Sequence, residues 1–180
     1  MHALRTAITI AWIIFLVYWL AAAFDVKEGR ASGRRFPTGG LTALSVFLLL
    51  RVFRGASLAV HSSVLETIGA VVFASGIALA IWARVQLGRN WGMPMTQKAE
   101  PELVTTGPYR RVRHPIYSGI ILAMIGTAVA VSVYWLVAVA LLGAYFIYSA
   151  TREERYLTEQ FPETYPAYKH STKMLIPFIL

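Results

Sequence analysis

The chain has 180 residues, 57% of them hydrophobic and only 14% charged, and carries a net charge of +8. That apolar share exceeds the roughly 45–50% of a soluble domain, so composition places the chain in a membrane and leaves length for one domain over 1–180. Cysteine is absent, which excludes disulfides, thiolate metal sites and a cysteine nucleophile.

Five apolar runs follow one another. The first, Ala7 to Phe24, has the length of a membrane span, with Trp12, Tyr18 and Trp19 as interfacial aromatics. The second, Leu41 to Phe53, is short and closes on Arg51 and Arg54, so it is either extended by snorkelling arginines or continues towards Val60. The third, Val64 to Ala83, is uniformly apolar, and Ala70, Ala74 and Ala78 at four-residue spacing predict a small-residue packing stripe. The fourth, Ile116 to Val131, and the fifth, Tyr134 to Ala150, are separated by Ser132 and Val133 and predict a tight helical hairpin. Gly119, Gly126 and Gly143 are expected to permit close approach there. Beyond Ala150 the chain turns polar, is expected to stay helical through Gln160, and ends on an aromatic run and an apolar stretch from Leu175 to Leu180. The expected fold class is therefore all-α and polytopic, with about five transmembrane helices. Residues 1–60 form the amino-terminal helices and 61–180 the part that bears the motifs.

Charge sets the expected orientation. Most basic residues fall on one side of such a bundle, between Lys27 and Arg35, Arg84 and Arg113, and Arg152 and Lys173, against Arg5, Arg51 and Arg54 on the other. The positive-inside rule then puts the amino terminus outside and the carboxyl terminus in the cytoplasm. Because these cations cluster between apolar runs, they favour anionic lipid headgroups and a small anionic ligand over nucleic acid. The long Arg84–His114 loop and the tail after Ala150 are expected to meet on the cytoplasmic face, and a loop of that length is usually functional.

The segment Thr105 to Gly119 carries Arg110, Arg111, Arg113 and His114 straight into an apolar stretch. A cationic, proline-punctuated loop at the lip of a bilayer can fasten an anionic ligand beside a lipid-soluble one; the plainer reading is a set of positive-inside anchors. The tail supplies Arg152, Glu153, Glu154 and Arg155 where the fifth run ends. A ligand bearing both an ammonium or sulfonium and a carboxylate would find partners there, with Tyr109 and Tyr117 available to stack on a heterocycle; a structural ion-pair cluster stapling loop to tail fits the same charges. His2, His61, His114 and His170 are scattered without metal-ligand spacing.

In order along the chain stand Leu87-Gly88-Arg89-Asn90-Trp91, Leu103-Val104-Thr105-Thr106-Gly107-Pro108-Tyr109, Arg113-His114-Pro115-Ile116-Tyr117-Ser118-Gly119, Glu153-Glu154, and Phe161 with Tyr165 and Tyr168. This succession resembles the isoprenylcysteine carboxyl methyltransferase family and the related phospholipid methyltransferases. The resemblance runs from the third apolar run to Tyr168; the first two runs match only as generic membrane helices. It implies an integral membrane enzyme that transfers a methyl group from S-adenosylmethionine, without the glycine-rich fingerprint of soluble doubly wound folds. Carried over by position, Leu103, Val104, Tyr109, His114, Pro115, Ile116 and Tyr117 form the cofactor cradle, Gln97 joins it from the preceding loop, and Glu153 closes it. The family also carries a substrate-side arginine one turn before the paired glutamates. Here that place is Ser149, and Arg152 is the nearest substitute. A second departure is Pro162, where a glycine is common.

Methyl transfer from a sulfonium is an in-line displacement with an already activated donor, so the protein mainly binds, aligns and desolvates the reactants. A carboxylate or thiolate acceptor needs no strong base, and Arg113 or Arg152 would orient it through a two-pronged hydrogen bond. A neutral amine or thiol would require His114 or Glu154 to take up a proton. The expected acceptor is the carboxylate of an isoprenylcysteine-like lipophilic substrate. Open beside it stand a phospholipid or small-thiol methyltransferase, a non-catalytic lipid-binding protein, and a nicotinamide-using membrane reductase.

Overall fold

The computed structural model describes residues 2–22, 29–31, 59–88, 96–98 and 102–177, and the span expected over Leu41–Phe53 lies outside them. Helix α1 (His2–Ala22) begins ahead of the predicted Ala7. Helix α2 (Ser63–Leu87) starts at Ser62, whose hydroxyl accepts from Leu65 N at 3.5 Å. It stops at Gly88, whose φ of 55° lies in the left-handed region that glycine adopts without strain. A 3-10 turn, Gly107–Arg110, leads to helix α3 (Pro115–Ala130), which opens on proline, a residue suited to a first turn that lacks internal N–H partners. Helix α4 (Trp135–Gln160) is continuous, so Glu153 and Glu154 ride on the same rod as the apolar fifth run. A short helix α5 (Tyr165–Ser171) follows. The expected all-α class holds apart from a three-residue antiparallel pair, β1 (Gly29–Ala31) with β2 (Thr96–Lys98), and two isolated bridges.

The predicted turn between the last two long helices is present over Val131–Tyr134, but α3 packs most extensively on α2. The reason is glycine. A Cβ on Gly126 would sit 2.2 Å from Phe73 N, and one on Gly76 would sit 2.3 Å from Ala123 N, so the two backbones touch where no side chain fits. The packing face of α2 is Gly69, Phe73, Gly76, Ala80 and Ala83. The predicted stripe is corrected accordingly: Ala74 and Ala78 are exposed and Ala70 half-buried, because glycine admits a closer backbone than alanine and fixes which face turns inward. Gly143 also departs from expectation, with nothing within 4 Å of the place its Cβ would take.

Helix α1 docks through Trp12, which stacks on Trp135 with ring centroids 5.8 Å apart and donates from Nε1 to Thr127 Oγ1 at 3.1 Å. Outward, Ile13, Ile14, Val17, Val64, Ile68, Val71, Leu136 and Val137 are exposed, an apolar surface suited to lipid. Helices α2 and α4 are long and apolar enough to cross a membrane, while α1 and α3 contain shorter apolar stretches. The apolar part of α4 ends at Ala150, ahead of the paired glutamates. At one end of the bundle Arg5 Nη2 donates to Val60 O at 3.3 Å and Val60 N to Val131 O at 3.1 Å. At the other end the start of α3, the polar end of α4 and the tail come together.

Candidate active site

The site is built around the turn that precedes α3. Gly107, with φ of 60°, bends the chain beside Gln86, whose Nε2 donates to Thr106 Oγ1 at 2.7 Å. Pro108 and Tyr109 are buried below, and the Tyr109 hydroxyl reaches Ala83 O at 3.4 Å. Burial pushes the Tyr168 phenol up to about 12, so it stays a donor, and it donates to Tyr109 O at 2.7 Å.

The tail then straps the turn from outside. Arg113 N donates to Lys173 O at 2.8 Å, His114 N to Met174 O at 3.0 Å, and Lys173 N to Arg111 O at 3.3 Å. The Ser118 hydroxyl donates to Leu175 O. Backbone groups that the helix start leaves unpaired are thus satisfied by residues far along the chain.

On this frame five charged groups converge. Arg113 donates from Nε to Glu154 Oε1 at 2.6 Å and from Nη1 to Lys169 O at 3.1 Å and to Thr172 O. Lys169 Nζ stands 2.9 Å from Glu154 Oε2. His114 Nδ1 lies 3.5 Å from Glu153 Oε2, and its Nε2 lies 3.5 Å from Glu154 Oε1, close enough for charge attraction without hydrogen-bond alignment. Burial works against charge on His114, but the two carboxylates outweigh it and raise its pKa above the usual 6.5. A carboxylate stands near each ring nitrogen, an arrangement that favours the protonated ring. Glu154 is only 2% exposed. Burial alone would raise its pKa, yet His114, Arg113 and Lys169 bring it down to about 2.

Beside the ions runs an aromatic column. His114 stacks on Tyr117 at 5.5 Å, and Tyr117 on Phe146 at 4.6 Å, with planes within 4° and 10° of parallel. The Tyr117 hydroxyl donates to Glu153 Oε1 at 2.8 Å and lies 3.3 Å from Ser149 Oγ.

Of the residues expected from sequence, Arg113, His114, Pro115, Ile116, Tyr117, Glu153 and Glu154 come together here. Val104 packs against the apolar cluster that includes Tyr109, Ile116, Tyr117 and Leu175, and Leu103 is half-buried just before it. Gln97 stands in β2 as the ladder partner of Arg30. Arg152 and Arg155 are exposed and stand outside the ionic network described above, since Arg152 lies about 200° round the helix from the inward-facing Glu154. Sequence reasoning missed Lys169, Thr172 and Phe146, quoted Ser118 in a motif without a role, and took Ser149 only as the place of an absent arginine. The meeting of loop and tail was expected from the hairpin and the sidedness of charge, but not the residues of the tail that make it.

A family model of phospholipid methyltransferases matches residues 64–164, more than half of the chain and the whole of α3 and α4. A protein-S-isoprenylcysteine O-methyltransferase of Schizosaccharomyces pombe is 29% identical over 181 residues, covering 94% of this chain and 73% of that protein. The solved structure of a eukaryotic intramembrane Ras methyltransferase, an isoprenylcysteine carboxyl methyltransferase, superposes with a TM-score of 0.55 at 24% identity, over 82% of this chain. The chain spans 55% of the length of that structure's chain, and the likeness is one of fold. The turn-and-tail cluster falls within or directly after the matched segment, and the chain belongs to the phospholipid methyltransferase family as a membrane methyltransferase.

Proposed function

We propose that the chain uses S-adenosylmethionine to methylate the carboxylate of an isoprenylcysteine-like lipophilic acceptor that enters from the bilayer, with the cofactor approached from the cytoplasm. The observation that carries this reading is the cluster of Arg113, His114, Glu153 and Glu154 beside the Tyr117 column, at the end of an apolar helix bundle. Its donor set fits a ligand with ammonium, sulfonium and carboxylate groups. Glu153 is partly exposed and offers carboxylate oxygen to a cation, and the buried Tyr165 hydroxyl has no hydrogen-bond partner among the described residues.

S-adenosylmethionine supplies, when bound, a methyl group already activated as a sulfonium. Glu153, Tyr117, Tyr109, Leu103, Val104, Gln97 and the His114-Pro115-Ile116 turn would hold it. The remaining task of the chain is to align the acceptor and exclude water. The two carboxylates beside His114 favour its protonated form, a cation in place of a base, which suits an acceptor that is already anionic. Arg113 is committed to Glu154 and the tail, so Arg152 would orient that anion from its exposed position outside the ionic network. The second reading is a phospholipid amine acceptor, favoured by the carboxylate of Glu153 at the partly exposed edge of the cluster.

The test is thermal shift with S-adenosylhomocysteine, followed by labelled S-adenosylmethionine with a prenylated cysteine analogue, phosphatidylethanolamine and small thiols in detergent. At a hundred times its Kd the ligand should add about 2.7 kcal/mol of stability to the wild type. His114→Ala and Glu153→Ala should each reduce that shift at matched concentration. Unchanged affinity in both variants removes the site assignment, and labelling of phosphatidylethanolamine alone selects the second reading.

A further inference from the structure

The strap that closes the turn has two faces. Val112 and Lys173 are joined as a parallel bridge, and burial divides the residues around it into two sets. Val112, Thr172 and Leu175 are buried on the side of the site. Outward go Arg111 and Lys173, both exposed, and held beside one another by the hydrogen bond from Lys173 N to Arg111 O. Arg110 is exposed on the preceding turn. Directly after the strap Ile176 is 48% exposed. Neither Arg111 nor Lys173 takes part in the ionic network around Glu154.

Depth decides what this surface meets. His114, whose backbone N–H bonds to the strap, is the residue before α3, so the strap lies at the level where an apolar helix begins. A pair of cations there, with an adjacent apolar side chain, matches an anionic headgroup and the acyl chains below it. The backbone that presents these cations outward is the same backbone that holds Arg113 and His114 inward. Ordering one face therefore orders the other.

We propose that anionic phospholipid headgroups bind the outer face formed by Arg111 and Lys173, and that this binding tightens cofactor affinity by fixing the strap against the Arg113–His114 turn. The coupling rests on the cofactor reading given above, and it is reciprocal, as any coupling between two binding equilibria must be. It is also electrostatic at its outer end, so salt should weaken it.

The experiment is S-adenosylhomocysteine binding to the full chain in lipid nanodiscs of pure phosphatidylcholine or with about 30 mol% phosphatidylglycerol, a content that gives an anionic surface. Wild type should bind about fivefold tighter in the anionic discs, the lower end of ordinary coupling between sites. The difference should shrink with added salt. Arg111→Gln combined with Lys173→Gln should remove it while keeping the affinity measured in phosphatidylcholine, since neither side chain touches the ionic cluster. Inorganic phosphate added to phosphatidylcholine discs should change nothing, and an equal tightening by free phosphate would overturn the headgroup assignment. Binding without any lipid response, or a response retained by the double variant, sinks this proposal alone. Absence of binding in both compositions sinks the cofactor reading and the coupling with it.

Discussion

The two arginines weighed for an anionic acceptor meet different fates: Arg113 donates to the Glu154 carboxylate at 2.6 Å, and Arg152, on the helix of Glu154, is exposed. The difference is testable. Glu154→Gln leaves the buried Arg113 guanidinium without its counter-charge, and breaking one half of a buried pair should cost about 3–5 kcal/mol, read as a fall in Tm. Arg152→Ala should move stability by no more than about 0.5 kcal/mol. If Arg152 orients an anionic acceptor, that same variant should lose roughly a hundredfold in kcat/KM at saturating cofactor, with poor rescue by Arg152→Lys. Wild-type efficiency in both variants would make Arg152 a solvated helix-end charge. His114 gives the pH dependence. Its pKa is raised in the folded chain, so its contribution is complete below about 6.5 and is lost as pH rises through the folded value. Glu154 is lowered, so its contribution is present above the ordinary carboxylate range and lost as pH falls towards 2. Denaturation followed upward from about pH 6.5 should show a falling limb in the wild type that His114→Gln lacks. The members of the cluster were legible because a charge at the start of an apolar run needs a reason. Lys169 and Thr172 were not, because their partners are fixed by where a short helix and a strap turn back, and no local pattern records that.

At the scale of elements, hydropathy alone located α2, α3 and α4, since twenty or so apolar residues in a row have few alternatives to a helix. Which face each helix buries was harder to read. Alanine at regular spacing and glycine at regular spacing both signal close packing, and the choice between them depended on backbone contact that only Gly69, Gly76, Gly119 and Gly126 allow. The contact predicts an asymmetric response to one added methyl group. Gly126→Ala must push α2 and α3 apart against Phe73 backbone, and overpacking of this kind should cost about 1–3 kcal/mol. Gly143→Ala meets open space and should stabilise α4 by up to about 1 kcal/mol, the propensity difference between the two residues. Equal effects of the two substitutions, measured as Tm in one detergent, would mean that the close α2–α3 crossing is absent from the protein in solution.

For the molecule as a whole, the described helices sort their ends into two groups. Arg5, Val60, Val131 and Ser132 gather at one, and Tyr109, His114, Glu154 and Lys173 at the other. This sorting follows from chain direction and helix length: α3 leaves the ionic end, the turn after Ala130 reverses it, and α4 brings the chain back. If the positive-inside rule governs the insertion, the ionic end faces the cytoplasm, because Arg110, Arg111, Lys169 and Lys173 lie there against Arg5 at the other end. The absence of cysteine makes the test clean, since each introduced thiol is the only one in the chain. Cysteine at Lys173 or Lys98 should react with a membrane-impermeant reagent only after the membrane is opened. The reporter for the opposite side belongs at Val133, which is 48% exposed, and not at Ser132, which is buried. Cysteine at Val133 should react in intact cells. Both Lys173 and Val133 reacting from the same side would contradict a membrane-crossing α4, and reaction of Lys98 and Lys173 from opposite sides would separate the loop from the tail. An exchange of the two sides, with Lys173 reacting first, would keep the bundle and the ionic end intact while moving the site to the outer face, against the cytoplasmic approach proposed for the cofactor.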